Sequence, residues 1–492
     1  MTTGQVQQTP DSAVVAGVPT ELFIGGQWVP AESGDRMPVE DPALAEPIAS
    51  VANADLPDAM AALDAAERAQ TAWAERPPRE RAEVLRQAFT LMTERREQFA
   101  ELIVRENGKA LADARSEVNY AAEFFRWYAE EAVRALGTVQ TAPSGANRIV
   151  VLRQPVGIAV LVTPWNFPAA MATRKIAPAL AAGCTVVLKP ASDTPLTALA
   201  LAALLDEAGV PGGVVNVLPS RRSGPLVAAM LDDPRVRKVS FTGSTEVGRI
   251  LLAQAARTVV NVSMELGGNA PFLVLADADL DAAVAGAMVA KMRNGGEACT
   301  AANRFYVHGS VAAEFSRRLA YAMGGLVVGP GMAPGTEVGP LVNAVTRDKV
   351  AQLVQGAADV GASVLTGGGA PDRTGYYYSP TVLADVPPDA SILGEEIFGP
   401  VAPIVAFDDL DDAIRQANAT EYGLVSYLYT RDLATALRTA EALEAGMIGI
   451  NRGVVSDPAA PFGGVKQSGI GREGGHDGLL EFTESKYVAV SW

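Results

Sequence analysis

The chain has 492 residues, 49% of them hydrophobic and 20% charged, so it is an ordinary globular protein rather than a disordered one. The formal net charge is −16 and no long basic run occurs, which argues against nucleic acid or an anionic membrane as a partner. Two cysteines give no disulfide framework, which predicts a reducing compartment, the cytoplasm. Two histidines, neither in a ligand or triad motif, disfavour a hydrolase triad and predict no metal site.

The predicted elements begin with helices. The first 20 residues are polar, lack a signal-peptide pattern, and are interpreted as a loose tail. Helical spacing predicts one helix over 78–106, stopped by Asn107-Gly108, and a second over about 110–136. Apolar extended segments follow, at 148–153, 156–163, 185–189, 214–218, 238–241 and 259–265.

Helical segments separate most of these strands, and this alternation is typical of a parallel sheet with helices on both faces. Such sheets bind ligands at the carboxyl ends of their strands. A second alternating series, from residue 266 to about 460, predicts another domain. The final segment, LLEFTESKYVAVSW, predicts a strand with an uncovered edge, which pairing with another subunit would remove.

The two cysteines have different surroundings. Cys184 lies in the apolar run AAGCTVVLK, which favours a buried small hydrophobe. Cys299 lies in NGGEACTAANR, between a predicted helix and strand, where the small neighbours leave its thiol accessible to a substrate. Cys299 is therefore the candidate for chemistry.

One glycine pattern is misleading. The segment GIGREG, residues 469–474, matches the dinucleotide fingerprint G-x-G-x-x-G. No apolar strand precedes it, and the chain ends too soon for a βαβ unit, so it does not predict a dinucleotide site.

Four motifs end strands or flank the cysteine, and three more lie elsewhere in the chain. They are TPWNFP (163–168), KPAS (189–192), MELGGNAP (264–271), NGGEACT (294–300), FTGSTEVG (241–248), EEIFGPV (395–401) and PFGG (461–464). This set, with a spacing of 34 positions from Glu265 to Cys299, resembles the NAD(P)-dependent aldehyde dehydrogenase superfamily from about residue 20 to the end.

The resemblance implies an α/β fold with a Rossmann-like cofactor domain, an α/β catalytic domain and a small β bridging element. The cofactor domain would comprise 21–136 and 155–265, and the catalytic domain 266–465. The bridging element, 137–154 and 466–492, would assemble a homodimer or homotetramer.

The family chemistry explains three residue types. The Cys299 thiolate would attack the aldehyde, because a thiolate is a good nucleophile and a good leaving group. The Asn166 amide and the Cys299 backbone N–H would stabilise the oxyanion of the thiohemiacetal. Hydride transfer to the nicotinamide would leave a thioester, and Glu265 would activate the water that hydrolyses it. Taken alone, Asn166 could be a turn former and Glu265 a surface acid; the joint motifs favour the catalytic interpretation.

The resemblance also implies a cofactor site for NADP or NAD. Lys189 would bind the adenosine ribose, and Glu396 the nicotinamide ribose, with Phe398 against the ring. Ser192 favours NADP, because family members selective for NAD often have a glutamate at this position, and a glutamate would repel the 2′-phosphate of NADP. Arg221 and Arg222 favour NADP as well, because arginine suits phosphate recognition. Asp193 weakens that case, and solvated surface arginines are the alternative. The full set is Thr163, Pro164, Trp165, Lys189, Ser192, Arg221, Arg222, Gly243, Ser244, Gly248, Leu266, Glu396 and Phe398.

Within the superfamily, the substrate residues resemble those of succinate-semialdehyde dehydrogenases. Arg174, Arg293 and Ser456 would bind the distal carboxylate of succinate semialdehyde, with Phe462 beside them. The alternative for Arg174 is a pair with a structural acid. Glutarate semialdehyde and neutral aliphatic or aromatic aldehydes remain alternative substrates, because one methylene discriminates weakly. A non-catalytic nucleotide-binding protein and a thioesterase-like hydrolase are alternatives from other classes.

Two positions depart from the family pattern. Glu297 stands where many members have Gln; its carboxylate would raise the Cys299 pKa if it pointed inward, or it would face a backbone amide elsewhere. Ala301 stands where some succinate-semialdehyde dehydrogenases have a second cysteine, so a redox-switch disulfide with Cys299 is not expected.

Overall fold

The computed structural model describes residues 12–491, so most of the predicted tail, residues 1–11, lies outside the described residues. The remainder of that segment is not loose. Ala13–Ala16 form a short helix, and Val15 is buried in the same core cluster as Phe99 and Leu102. The tail prediction is therefore wrong over 13–16, because these small apolar residues pack against the first domain.

The first half of the chain builds one large sheet and its helices. Its helices and strands are α1 (Ala13–Ala16), β1 (Leu22–Ile24), β2 (Gln27–Val29), β3 (Arg36–Asp41), β4 (Glu46–Ala52), α2 (Leu56–Glu75), α3 (Pro78–Glu94), α4 (Arg96–Asn107), α5 (Leu111–Glu131), β5 (Thr138–Thr141), β6 (Arg148–Pro155), β7 (Ile158–Val162), α6 (Pro168–Ala182), β8 (Thr185–Lys189), α7 (Pro195–Glu207), β9 (Val215–Val217), α8 (Ser223–Asp232), β10 (Val236–Thr242), α9 (Thr245–Ala255) and β11 (Asn261–Glu265).

The second half builds another α/β unit and returns to the first. Its helices and strands are β12 (Ala270–Val274), α10 (Leu280–Met292), β13 (Ala302–His308), α11 (Gly309–Gly324), α12 (Ala344–Asp359), β14 (Ser363–Thr366), β15 (Thr381–Ala384), β16 (Val401–Phe407), α13 (Leu410–Asn418), β17 (Val425–Tyr429), α14 (Leu433–Ala442), β18 (Met447–Ile450), β19 (Gly469–Ile470), α15 (Asp477–Leu480) and β20 (Thr483–Val490).

Two mainly parallel sheets dominate the molecule. The first has the order β19-β11-β10-β7-β8-β9-β1-β2, and its five central strands are parallel. The second has the order β14-β15-β16-β13-β12-β17-β18. The central strands β7 and β8 are buried at every position, as expected for parallel strands covered on both faces. The predicted α/β class is confirmed.

The two predicted N-terminal helices have different bounds. The single helix predicted over 78–106 is two helices, because Arg95 leaves the helical conformation between α3 and α4. The stop at Asn107-Gly108 is present, with Gly108 left-handed at φ 94°. The helix predicted over 110–136 ends at Glu131 and continues only as a 3₁₀ turn.

The third sheet, β20-β6-β5, is antiparallel and separate from the other two. It joins the end of the chain to the segment before β7. The predicted 466–492 segment is divided, however: Gly469–Ile470 pair antiparallel with β11 in the first sheet, and only β20 pairs with β6. None of the helices within residues 12–491 combines the length and hydropathy needed to cross a bilayer.

Candidate active site

Three candidate residues lie at the carboxyl edge of the first sheet. Lys189 and Glu265 are the last residues of β8 and β11, and Asn166 follows β7 just before α6. Strands β10, β7 and β8 are adjacent and parallel, and β11 pairs with β10, so their carboxyl ends share one edge. This is the edge where doubly wound sheets bind ligands.

Cys299 lies in a loop that is neither helix nor strand. The preceding turn contains three consecutive left-handed residues, Asn294, Gly295 and Gly296. A Cβ at Gly268 would lie 2.3 Å from the Cys299 carbonyl oxygen, so glycine at 268 lets the backbone of the neighbouring segment approach this loop. The loop therefore packs directly against the segment that follows Glu265.

Hydrogen bonds fix the Asn166 amide beside this loop. Asn166 Nδ2 donates to the Glu297 carbonyl over 3.0 Å, which leaves its second N–H for a ligand. Asn294 Nδ2 donates to both the Asn166 and Glu297 carbonyls, over 2.8 and 2.9 Å. The Cys299 backbone N–H meets no acceptor among residues 12–491. Two donors are thus available for an oxyanion.

A buried ion pair also contacts the backbone carbonyl of Asn166. Lys109 Nζ donates to the Asn166 carbonyl over 2.8 Å and forms an ion pair with Glu117. Glu117 Oε1 accepts from the Ala169 and Ala170 backbone N–H groups at the start of α6. Glu117 thereby caps the helix that follows Asn166.

Cys299 is the only partly exposed cysteine, whereas Cys184 is fully buried. Burial of the sulfur raises the pKa of Cys299 to about 12; the charges of Arg174 and Arg293 oppose this, while those of Glu396 and Glu265 add to it. Without ligands the thiol is therefore neutral, and it needs a proton acceptor before it attacks. The interpretation of Cys184 as a buried small hydrophobe is confirmed.

Glu265 is buried, with 2% of its surface exposed, and neither carboxyl oxygen has a hydrogen-bond partner within residues 12–491. Burial and the nearby charge of Glu473 raise its pKa well above the usual range, although Arg174, Lys175 and Arg472 oppose the shift. It is not a solvated surface acid. A raised pKa makes the carboxylate a stronger base, which suits the role of a general base.

Arg174 and Lys175 share one buried carboxylate. Arg174 Nε lies 2.5 Å from Glu473 Oε2, and Lys175 is hydrogen-bonded to Glu473 Oε1. Burial raises the pKa of Glu473, but the charges of Lys175 and Arg174 outweigh it and hold the pKa below its usual value. The alternative for Arg174, a pair with an internal acid, is therefore present in the structure, and its role in binding substrate stays a prediction.

The other predicted substrate residues lie together. Arg293 Nη1 donates to Ser456 Oγ over 3.2 Å, and its guanidinium lies 5.1 Å from the centre of the Phe167 ring. The Arg174 guanidinium lies 4.2 Å from the centre of the Phe462 ring. Both arginine charges lower the pKa of the Cys299 thiol, so the two cations act on the candidate nucleophile.

Residues predicted for the cofactor line the same edge. Burial lowers the pKa of Lys189 to about 8, against the opposing charge of Asp193. Burial raises the pKa of Glu396 to about 7, and its Oε1 accepts from the Gly268 N–H over 3.0 Å. The Trp165 and Phe398 rings pack edge to face with centroids 5.4 Å apart.

The glycine-rich motif opens a helix, as the sequence predicts. Ser244 caps α9 by accepting from the Val247 N–H, and Gly243 N–H donates to the Glu265 carbonyl over 3.0 Å. Gly248 packs against Leu266, so that a Cβ there would lie 2.4 Å from the leucine side chain. The start of α9 presents its backbone N–H groups beside the strand that carries Glu265, which suits a phosphate.

The two arginines expected near the adenosine are exposed. Arg222 Nη1 lies 2.9 Å from Asp55 Oδ2 in an ion pair, and Arg221 Nη2 donates to the Pro38 carbonyl over 3.4 Å. Ser192 is partly exposed beside Asp193. The arginines therefore have protein partners in this structure, in line with the surface alternative.

Glu297 points away from the thiol. Its Oε1 accepts from the Val342 N–H over 3.0 Å, and its charge is not among the groups that shift the Cys299 pKa. Of the two alternatives for this position, the backbone amide is the observed one. Within residues 12–491, no group of three or more His, Cys, Asp or Glu side chains could hold a metal ion.

Comparison with known sequences identifies the family. Residues 28–488 match the aldehyde dehydrogenase family. The chain belongs to the aldehyde dehydrogenase family. A succinate-semialdehyde dehydrogenase of Paenarthrobacter nicotinovorans is 58% identical over 444 residues, covering 90% of this chain and 99% of that protein. This assignment confirms the family resemblance of the sequence motifs.

Other relatives bear two substrate names. The NADP(+) succinate-semialdehyde dehydrogenase GabD of Escherichia coli strain K12 is 47% identical, covering 96% of this chain and 97% of that protein. A glutarate-semialdehyde dehydrogenase of Pseudomonas putida is 45% identical over 96% of this chain and 98% of that protein. A crystal structure of an E. coli NADP-dependent enzyme superposes with a TM-score of 0.96 at 46% identity, covering 99% of this chain and all of that one.

Several residues of this aldehyde dehydrogenase site were missed by sequence reasoning. Glu473 lies in the glycine pattern that does not predict a dinucleotide site, and Lys175 belongs to none of the motifs. Lys109, Glu117 and Asn294 act through backbone carbonyls and N–H groups. Only Asn294 carried a signal, as an Asn-Gly-Gly turn next to the cysteine.

Replacing Cys299 with Ala is expected to abolish aldehyde oxidation while leaving dinucleotide binding intact, because the thiol enters only the chemical step. Steady-state NAD(P)H formation and cofactor titration by fluorescence measure the two properties. Cys184→Ala is the matched control: it removes a buried sulfur far from the chemistry and should lower only stability. Substantial dehydrogenase activity in Cys299→Ala would contradict the covalent mechanism.

Proposed function

We propose that this aldehyde dehydrogenase oxidises a short aldehyde that carries a distal carboxylate, foremost succinate semialdehyde to succinate, with NADP or NAD. The observation that supports this most is the pair formed by Arg293 and Ser456, a cation and a hydroxyl held 3.2 Å apart beside the Cys299 loop. Relatives named for succinate semialdehyde support the same substrate. A relative named for glutarate semialdehyde supports the one-carbon-longer homologue as the second candidate.

The chemistry follows from the residues around Cys299. The Cys299 thiolate adds to the aldehyde carbon, and the Asn166 amide and the Cys299 N–H receive the resulting oxyanion. A bound dinucleotide supplies the hydride acceptor. Glu265 takes the proton of the water that hydrolyses the thioester, and the acid product leaves as the Cys299 thiol is restored.

The substrate proposal is tested by removing Arg293. Arg293→Ala should lower kcat/KM for succinate semialdehyde roughly ten- to hundredfold, because a charge-assisted bond to the carboxylate is lost. It should lower kcat/KM for an uncharged aldehyde of similar length much less, because only the effect of the Arg293 charge on the Cys299 thiol is lost there. Kinetics with both aldehydes, and with glutarate semialdehyde, measure the preference.

Arg174→Ala serves as the comparison variant. Because Arg174 also pairs with Glu473 next to Glu265, its loss should slow charged and uncharged aldehydes alike. The proposal fails if the parent enzyme does not prefer the charged aldehyde, or if Arg293→Ala keeps the full preference.

The cofactor residues fit a dinucleotide. Lys189 is buried but finds no hydrogen-bond acceptor among residues 12–491, so its ammonium is available to ribose hydroxyls. Ser244 begins α9, whose first N–H groups suit phosphate, and Glu396 keeps one carboxyl oxygen free of the Gly268 bond for the second ribose. Thr163, Pro164, Trp165, Leu266 and Phe398 complete the proposed pocket.

NADP is the proposed preferred cofactor, supported by Ser192 at the adenosine end and by the NADP-dependent relative. Ser192→Glu should lower kcat/KM for NADP relative to NAD by about tenfold, since a carboxylate there repels the 2′-phosphate. Arg221→Ala should act in the same direction, with Arg257→Ala, an exposed arginine paired with Asp232, as the control. A higher kcat/KM with NAD than with NADP in the parent would overturn the preference.

We also propose that the sheet containing β7 belongs to the cofactor domain and the sheet containing β12 to the catalytic domain. The β20-β6-β5 sheet is proposed to mediate homo-oligomerisation. The outer strand β20 has one unpaired edge, and this sheet exposes Val139, Leu152 and Tyr487, which are 70%, 43% and 59% exposed. Sedimentation velocity should therefore give a dimer or tetramer, and a monomer at micromolar concentration would reject the proposal.

Free cysteines at 184 and 299 support the cytoplasm as the compartment.

A further inference from the structure

Glu297 is bonded at both of its ends. Its carboxyl Oε1 accepts from the Val342 N–H over 3.0 Å, and the residue is only 3% exposed. Its backbone carbonyl accepts from Asn166 Nδ2 and Asn294 Nδ2, over 3.0 and 2.9 Å. The peptide that orients the Asn166 amide is thus anchored by the Glu297 side chain, two residues before the nucleophile.

The anchor point is itself held firmly. Val342 is buried, and the next residue, Asn343, caps α12 by accepting from the Thr346 N–H over 2.9 Å. Asn343 Nδ2 also donates to Asp193 Oδ1 over 3.2 Å. Asp193 lies in the loop after β8, whose last residue is Lys189. The 342–343 segment therefore contacts both the cysteine loop and the proposed cofactor loop.

Regular structure does not hold the cysteine loop in place. Helix α10 ends at Met292 and strand β13 begins at Ala302, so residues 293–301 depend on individual contacts. Besides the bonds of Arg293 and Asn294, the side-chain contacts of this loop include the Asn166 bond to the Glu297 carbonyl and the Glu297 bond to Val342. The Tyr427 hydroxyl also donates to the Thr300 carbonyl over 2.9 Å. Loss of the Glu297 bond would release the peptide on which the Asn166 amide depends.

We propose that Glu297 is a positioning residue for aldehyde oxidation, which fixes the Cys299 loop and the Asn166 amide through its hydrogen bond to Val342. It touches neither substrate nor thiol. This rests on the proposed roles of Cys299 and Asn166 and adds to them a residue that acts through the loop.

The charge state of Glu297 indicates which substitutions preserve the bond. Burial raises its pKa to about 8, against the opposing effects of the Val342 bond and the charge of Lys109, while Asp193 adds to the shift. At pH 7 the carboxyl is therefore mostly neutral, and the interaction is a hydrogen bond accepted by a neutral group. Glutamine has the same shape and the same acceptor, whereas methionine has a similar length and lacks the carbonyl oxygen.

The experiment compares Glu297→Gln, Glu297→Met and Glu297→Ala in the full-length enzyme. Glu297→Gln should keep kcat near that of the parent. The Met and Ala variants should lose about tenfold or more in kcat, because a buried backbone N–H loses its partner and the loop shifts. The KM for aldehyde and the Kd for NADP, determined by fluorescence titration, should change much less than kcat in both.

Glu106→Met is the matched control. Glu106 is also buried, with a pKa raised by burial to about 8, and it accepts from the Leu196 and Thr197 N–H groups at the start of α7. The Glu106→Met substitution should lower the Tm, but kcat, normalised to the fraction of molecules that bind the cofactor, should stay near that of the parent enzyme. The comparison separates loop positioning from general destabilisation.

Three results would overturn the inference. In the first, Glu297→Met has the same kcat as the parent enzyme. In the second, Glu297→Gln loses as much kcat as Glu297→Met. In the third, the lower kcat of a variant is fully explained by a smaller fraction of molecules that bind the cofactor. Activities are normalised to the titrated fraction that binds NADP, so partial misfolding of one variant does not hide the outcome. Cys299→Ala separates this test from the function itself: if that variant stays active, the covalent mechanism fails, whatever Glu297 does.

Discussion

The burial of Glu473 between Arg174 and Lys175 is the interaction on which the catalytic centre depends. Two cations and a carboxylate away from water are stable only while each has its partner, because desolvation of one ion costs several kcal/mol. The cluster also sets the charge beside Glu265: Glu473 raises the pKa of Glu265, and the cations oppose it. Its integrity therefore governs how readily Glu265 takes up a proton.

The same cluster gives the two arginines, Arg174 and Arg293, different surroundings. Arg174 already neutralises an internal carboxylate, so a second anion near it gains less attraction than it would from an unpaired guanidinium. Arg293 has a hydroxyl, Ser456, and aromatic rings as neighbours, with no ion pair among residues 12–491. The proposed selectivity for a distal carboxylate would consequently rest more on Arg293, with Arg174 acting through the electrostatics of the Cys299 thiol and Glu265.

The sequence predicted the strands of the first sheet well, because buried parallel strands are short apolar runs: 185–189 matches β8 residue for residue. The motifs that contain Asn166, Glu265 and Cys299 also predicted that these three residues belong to one site. It missed the Lys175–Glu473 contact because these residues lie 298 positions apart and neither belongs to a periodic pattern. The acid that pairs with Arg174 could not be identified from the sequence for the same reason, since Glu473 is distant from it along the chain.

The charges around the Cys299 thiol determine how readily it can act as a nucleophile. A thiol with a pKa of about 12 is almost wholly protonated at neutral pH, and protonated thiols resist oxidation and alkylation. Attack on an aldehyde needs the thiolate, so ligands must change the environment that burial creates. Arg174 and Arg293 are the cations that lower the pKa of Cys299, and Glu396 and Glu265 the anions that raise it. A ligand that engages Glu396 weakens one of the two anionic contributions and leaves both cations in place. The arrangement of charges thus links the proposed cofactor carboxylate, Glu396, to the proposed nucleophile, Cys299.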